Sequence, residues 1–255
     1  METMSVLDAA IRDLVTANRI LANEKIVDAY GHVSIRHPDN PERFLLSCSR
    51  SPEFVEADDI LEFGFDGEPV VRGGKKPYLE RFIHAGVYAA RPDVQAVIHS
   101  HAAEVLPFSI STTPLQPVLN TASGIGEKVP VWDIRDQFGD TNLLVETITQ
   151  ANDLARTLAD NTVTLMRGHG FTAVGRTLIE ALKTAIYLPL NAKVLMEALR
   201  LGGVKPLSAG EIAVRLKTPI DSPAYTRAWE YWSNRANAGA ATGCSCGGRH
   251  DKDGK

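Results

Sequence analysis

Three histidines hold most of the chemistry this sequence offers. His99 and His101 close the apolar run Val94-Gln-Ala-Val-Ile-His99-Ser-His101. In an extended strand, residues i and i+2 share a face, so both imidazoles can approach one cation while Ser100 turns away. His169 lies between Gly168 and Gly170, which permit a tight turn and close backbone approach. Three imidazoles with open coordination positions suit one catalytic divalent metal ion per subunit, and Zn, Mn, Fe and Co all accept such ligands. A plainer reading stands beside this one: a His-x-His on a half-buried strand is often structural, and a Gly-flanked histidine is often a turn residue. Spacing leaves both open. Glu80 opens the helix that leads into the His-bearing strand. Next to a cation its carboxylate stays ionised and can exchange a proton with a carbanion or enediolate; in a first helical turn it can equally serve the helix dipole. His84, four residues on, shares its helical face and is read as packing or supporting the site rather than as a ligand.

These residues need elements to position them. Apolar positions from Ser5 to Ala22 recur at helical spacing, predicting an amphipathic opening helix. Residues 29–36 alternate as a strand, 43–47 read as its hairpin partner, and Asp66-Gly67 between extended runs over 60–71 predicts a second hairpin. A helix from about Glu80 is stopped by Arg91-Pro92. After the strand ending at His101, the pattern predicts a helix over 103–110, a strand over 128–132 and a helix over 143–158. Strand, turn and strand follow over 161–174, then helices over 177–200, 208–217 and 222–237. Strands and helices interleave without the rhythm of a doubly wound sheet, and no Gly-x-Gly-x-x-Gly joins a strand to a helix. The expected fold is therefore α/β, with a mixed, largely antiparallel sheet covered by helices.

The chain has 255 residues, 44% hydrophobic and 23% charged, with a formal net charge of −4. That length allows one domain with a sizeable core. Without a Lys/Arg stripe there is no footprint for nucleic acid or an anionic membrane. No apolar run reaches the roughly twenty residues of a membrane span, and Met1-Glu2-Thr3-Met4 lacks a basic leader; the expectation is a soluble, cytoplasmic protein acting on a small molecule. Three cysteines, two of them at Cys244 and Cys246, offer no disulfide framework. Residues 1–237 are expected to form a single domain and 238–255 a flexible Gly/Cys-rich tail. Cys244, Cys246 and His250 fall one ligand short of a structural zinc site.

Taken in order, Gly31-His-Val-Ser34, Pro77-Tyr-Leu-Glu80, Glu80-Arg-Phe-Ile-His84, Arg91-Pro92-Asp93, His99-Ser-His101 and Arg167-Gly-His-Gly170 resemble the motifs of the class II aldolase/adducin superfamily. The resemblance spans about Leu7 to Leu201. It implies that His99, His101 and His169 are the metal ligands and Glu80 the catalytic acid/base. It implies a three-layer α/β/α sandwich around a central, mainly antiparallel mixed sheet, and a homo-oligomer, often a tetramer with active sites at subunit interfaces. A tyrosine from a neighbouring subunit or the C-terminal region often completes such sites; Tyr225 and Tyr231 are candidates that no motif aligns.

Two departures bear on the substrate. Where the sugar-phosphate aldolases usually carry Gly-Asn-x-Ser and Pro-Ser-Ser-Glu, this chain has His32 and Tyr78-Leu79, and no Thr-Gly phosphate loop is evident in Ser47-Cys-Ser49-Arg50-Ser51-Pro52. Losing the hydroxyls removes hydrogen bonds to phosphate and adds apolar surface. This resembles the decarboxylase branch, which implies a hydroxylated aromatic or heteroaromatic dicarboxylate as substrate. Arg50 can clamp a carboxylate or be a solvated loop residue; Ser49, Tyr78 and Ser34 complete the expected substrate contacts. Glu80 or His32 would supply the proton, His32 because an unperturbed imidazole titrates near neutrality. An aldolase for an unphosphorylated hydroxy-carbonyl compound, and a non-catalytic adducin-like interaction module, are the competing functions.

Overall fold

The computed structural model describes residues 4–71 and 74–242. Helix α1 (Val6–Asn23) begins where the Ser5 hydroxyl accepts the Asp8 N–H at 3.0 Å, satisfying one of the free amides of a helix start. Strands β1 (His32–Arg36), β2 (Arg43–Ser47) and β3 (Ile60–Gly64) form an antiparallel meander. Helix α2 (Arg81–Ala90) leads to β4 (Ala96–Ser100), and a 3-10 turn at Ala103–Val105 to α3 (Leu106–Ile110). Then come β5 (Val131–Trp132), α4 (Arg135–Phe138), α5 (Ile148–Leu158), β6 (Val163–Met166) and β7 (Gly170–Gly175). Helices α6 (Leu178–Leu201), α7 (Ala209–Leu216) and α8 (Pro223–Thr242) end the described chain.

The seven strands make one sheet in the order β3-β2-β1-β4-β7-β6-β5, antiparallel except for the β5–β6 pair. Side-chain alternation divides the core in two. Val33, Ile35, Ala96, Ile98, Phe171 and Ala173 pack with α1, α6 and α8. Phe44, Leu46, Val97, Met166 and Val174 face the opposite way and pack with α2 and α5. Helices thus cover both faces, the three-layer arrangement expected. His32, Ser34, Arg36 and His99 fall on the α2 side by the same alternation. There Arg36 is buried, its guanidinium donating to the carbonyls of Pro41, Tyr88, Arg91 and Val94.

Several boundaries differ from expectation for local reasons. The second arm of the hairpin after Asp66-Gly67 shrinks to a bridge between Phe63 and Pro69, since proline brings no N–H to a ladder. The strand expected over 128–132 keeps only two residues after Pro130. Helix α5 starts five residues late, because Leu143 has φ +67° and Thr147 with Gln150 forms a capping box. Neither α4 nor the 3-10 helix Asn120–Ile125 was foreseen. Helix α8 runs five residues beyond Asn237; Cys244, Cys246 and His250 lie outside the described residues.

Candidate metal centre

Register brings the histidines together. In the β4–β7 pair His99 faces Thr172 and Ser100 faces Phe171, so the residue just before β7 emerges beside the end of β4. That residue is His169. The turn reaching it needs Gly168 at φ +66°, a left-handed conformation that suits glycine. Gly170 has no alternative: a Cβ there would stand 2.1 Å from the Ser100 carbonyl oxygen. Ser100 turns to the α1 side, where its hydroxyl donates to the Ile26 carbonyl.

The three Nε2 atoms converge. His101 Nε2 lies 2.9 Å from His99 Nε2 and 3.0 Å from His169 Nε2. The His99 Nδ1–H donates to the Phe171 carbonyl at 3.0 Å, which leaves its Nε2 as a bare lone pair aimed at the cluster. Glu80 Oε2 is 3.6 Å from His99 Nε2 and 3.5 Å from His169 Nε2. All four ligand atoms lie within 4.8 Å of one another. Nitrogens about 3 Å apart are spaced as ligands about 2.0–2.1 Å from a shared cation would be. Three imidazoles and a carboxylate are also a donor set suited to a divalent metal, so the residues fit one.

Glu80 occupies the N-cap position of α2 yet makes no capping bond. Its Oε1 instead accepts the Val145 N–H at 3.0 Å. The carboxylate thus makes no cap bond to α2 and faces the histidines. Burial works against its charge, but the His99 and His169 rings and the Val145 amide outweigh that penalty and hold the carboxyl down at about 2. Burial, followed by repulsion from neighbouring imidazoles, keeps His99 and His101 below the ordinary histidine range, although Glu80 pulls the other way. Neutral imidazoles are the form that binds metal.

The family called Class II Aldolase and Adducin N-terminal domain matches residues 12–196, most of the chain and all four of these residues. This protein belongs to that family. It is 30% identical over 252 residues to decarboxylase tropJ of Talaromyces stipitatus, covering 90% of this chain and 94% of that protein. It is 27% identical over 216 residues to a 3,4-dihydroxyphthalate decarboxylase of Arthrobacter keyseri, covering 78% and 83%. The solved L-fuculose 1-phosphate aldolase of Glaciozyma antarctica superposes with a TM-score of 0.74 at 22% identity, covering 95% of each chain. The seven-stranded sandwich is the fold of class II aldolases, and the decarboxylase relatives place the chain among lyases.

Beside the class II aldolase-type cluster lies a hydrogen-bonded series running into the core. His32 Nδ1 is 2.7 Å from His84 Nε2, His84 Nδ1 is 2.6 Å from Ser34 Oγ, and Ser34 Oγ is 2.9 Å from the Tyr88 hydroxyl. Donors and acceptors must alternate, and the direction that gives the buried Tyr88 hydroxyl proton an acceptor among the described residues has Tyr88 donate to Ser34, Ser34 to His84 Nδ1, and His84 Nε2–H to His32 Nδ1. With this assignment His32 is the Nε2–H tautomer, 5.1 Å from His99 between ring centroids. Burial pushes the Tyr88 phenol far up, so it stays protonated as the donor at the inner end of the series.

The remaining expected site residues fall in several places. Burial, then His84, His101 and His169, hold His32 well below the histidine range; the expectation of titration near neutrality is corrected, because a buried ring among other imidazoles stays neutral. Tyr78 stands beside His32 with ring centroids 4.8 Å apart, and its hydroxyl donates to the Arg50 carbonyl. Ser34 is fully buried beneath His32, a support for His84 and not a surface for substrate. Arg50 is paired: its Nη1 donates to Asp59 at 2.5 Å, and Lys75 holds the same carboxylate at 2.6 Å. Ser49 is exposed on that loop. Tyr225 lies near Gly175, at the far end of the β4–β7 pair from the histidines, and Tyr231 is exposed on α8 with its hydroxyl accepting from Arg235. Neither reaches the cluster within one subunit. Sequence reasoning missed Asp28 and Tyr30, which line a cleft of about 700 Å3 running to His101, and Tyr88, whose i+4 spacing from His84 continues the face begun by Glu80. Among the described residues no helix is long and apolar enough to cross a membrane.

Proposed function

We propose that this protein is a divalent-metal-dependent carboxy-lyase acting on a hydroxylated aromatic dicarboxylate of dihydroxyphthalate or pyridine-dicarboxylate type. The observation that carries this reading is the buried His32 beside the histidine cluster and flanked by Tyr78, where a phosphate-binding site would need small hydroxyls; the hydrogen-bond assignment above makes it a neutral N–H donor. The decarboxylases it resembles support the same class. Its four site donors speak against a purely structural adducin-like role.

His99, His101 and His169 would hold the metal, which supplies Lewis-acid stabilisation of negative charge on a hydroxyl oxygen and its neighbouring carboxylate. The protein's residues handle the rest. Glu80, ionised, accepts the proton of the ring hydroxyl. Glu80 then delivers that proton to the ring carbon that bears the departing carboxylate, giving the keto form of the ring. The carbon–carboxylate bond breaks, CO2 leaves, and the electron pair flows through the ring onto the keto oxygen, restoring the aromatic ring as a phenolate that takes a proton from solvent. His32 Nε2–H donates to a substrate oxygen and keeps it in place, as a preorganised neutral donor does without a proton leaving it. Tyr78 gives the ring an aromatic wall. The small-molecule aromatic acid is the partner of this site, and a homo-oligomer that brings a neighbour's Tyr225 or Tyr231 to it belongs to the same proposal.

The test is elemental analysis of the purified protein together with a screen of ortho-hydroxylated phthalates and pyridine acids for CO2 release. CO2 stoichiometric with mono-acid product is expected. Cleavage to an aldehyde without CO2 would establish the aldolase alternative, and failure to retain any divalent metal after loading would revive the non-catalytic one.

A further inference from the structure

At the end of the β4–β7 pair away from the histidines, a second cavity of about 320 Å3 opens between Thr121 and Ser123 of the 3-10 helix, Lys183 and Thr184 of α6, Arg215 of α7 and Tyr225 of α8. Most charges around it are already matched. Arg176 binds Glu180 through Nη2 at 2.9 Å and Nε at 3.4 Å. Arg91 binds Asp93 through two N–H groups at 2.8 Å each, and Asp160 acts on the same guanidinium.

Two cations are left over. Lys183 makes no ion pair among the described residues; its Nζ rests 4.6 Å from the centre of the Tyr225 ring. Arg215 makes none either: Nη1 donates to the Thr218 hydroxyl at 3.0 Å, and Nε is buried without an acceptor. The two charges act on each other, since burial and then Arg215 lower the Lys183 ammonium. Ser123 and Thr184 are buried, and their hydroxyls make no hydrogen bond among the described residues. Two like charges, partly buried together with unengaged donors around them, are costly unless an anion joins them.

We propose that this cavity is a second ligand site, separate from the metal centre, that takes a small oxyanion, a carboxylate or a phosphate, between Arg215 and Lys183. The guanidinium supplies directional N–H donors, the ammonium a point charge, and the Ser123 and Thr184 hydroxyls further donors. Glu180, the nearest acid, has both oxygens engaged by Arg176. The volume suits a small organic acid or phosphate ester.

Isothermal titration of the metal-loaded protein with orthophosphate in one arm and succinate in the other tests this and tells the two sources apart. At least one anion is expected to bind, about tenfold or more weakly in Lys183→Met and in Arg215→Gln, and with near-native affinity in Lys183→Arg. Binding should persist in His99→Ala, which disables the metal centre. Arg215→Gln, on the short outer helix α7, keeps the test decisive if Lys183→Met does not fold. Absence of binding up to about 10 mM overturns the proposal. So does an affinity that falls in His99→Ala but is unmoved by the cavity variants, because that anion sits on the metal.

Discussion

Replacing His84 by leucine separates orientation from proton transfer at the candidate centre. His84 is fully buried and makes no hydrogen bond to a ligand atom of the cluster; in the assigned series its Nε2–H donates to His32 Nδ1, 2.7 Å away. Leucine fills much of the volume but leaves Nδ1 of His32 as a buried acceptor without a donor, which costs about 1–3 kcal/mol of stability. Nothing then fixes the His32 tautomer, and the Nε2–H donor to substrate is no longer assured. A hydrogen bond to a charged oxygen contributes about 1.5–3 kcal/mol, so kcat/KM should fall by about 10- to 150-fold. Metal content should not change, since His99, His101, His169 and Glu80 do not bond to His84. His84→Gln, whose amide can donate to the same nitrogen, should recover most of the loss. The assays are CO2 release, metal analysis and 15N spectra of the His32 ring, which distinguish the two tautomers without substrate. Full activity in His84→Leu, or an unchanged tautomer, would refute the orienting role.

Other substitutions probe the cluster itself. Glu80→Gln should retain metal and lose turnover by about 100- to 10,000-fold, as removal of a proton-transfer group does; an active variant removes Glu80 from that role. His99→Ala or His169→Ala should abolish metal retention by elemental analysis, because each removes one of three converging nitrogens. Gly170→Ala should leave little folded protein in thermal melts, since its Cβ and the Ser100 carbonyl cannot share a 2.1 Å separation. Acid should destabilise the metal-free protein early. Burial is the leading cause that lowers His32, His99 and His101, and it brings His84 down to about 3, so the unfolded chain binds these protons first. Stability is therefore complete above about pH 6.5 and falls below it, by at most about 1.4 kcal/mol per pH unit for each group. Equal urea midpoints at pH 7.5 and 5.5 would contradict this.

Much of the fold was legible because its signals are local. Ser5 and Thr177 mark helix starts with their own hydroxyls, and the alternation over 29–36 and 43–47 matches the β1–β2 pair. The misses are places where a single backbone angle or a missing N–H overrides the pattern. Leu143 at φ +67° delays α5, and Pro69 reduces a strand to one bridge. The short α4 and the 3-10 helix Asn120–Ile125 lack the length over which periodicity can register.

The site divides along the same line. His99 and His101 are two residues apart, and His169 carries its turn glycines beside it, so their convergence needed only the strand ends to meet. The support of His32 needed more: 52 residues separate it from His84, and their contact depends on β1 pairing with β4 so that His32 lies opposite His99. Burial is likewise a property of the assembled sandwich, and an unperturbed imidazole pKa does not survive it. That is why the proton-carrying role, left open between Glu80 and His32 on sequence grounds, moves in our proposal to Glu80 alone. An ionised carboxylate can take a hydroxyl proton and return it, whereas a neutral, tautomer-locked imidazole has only a hydrogen bond to offer.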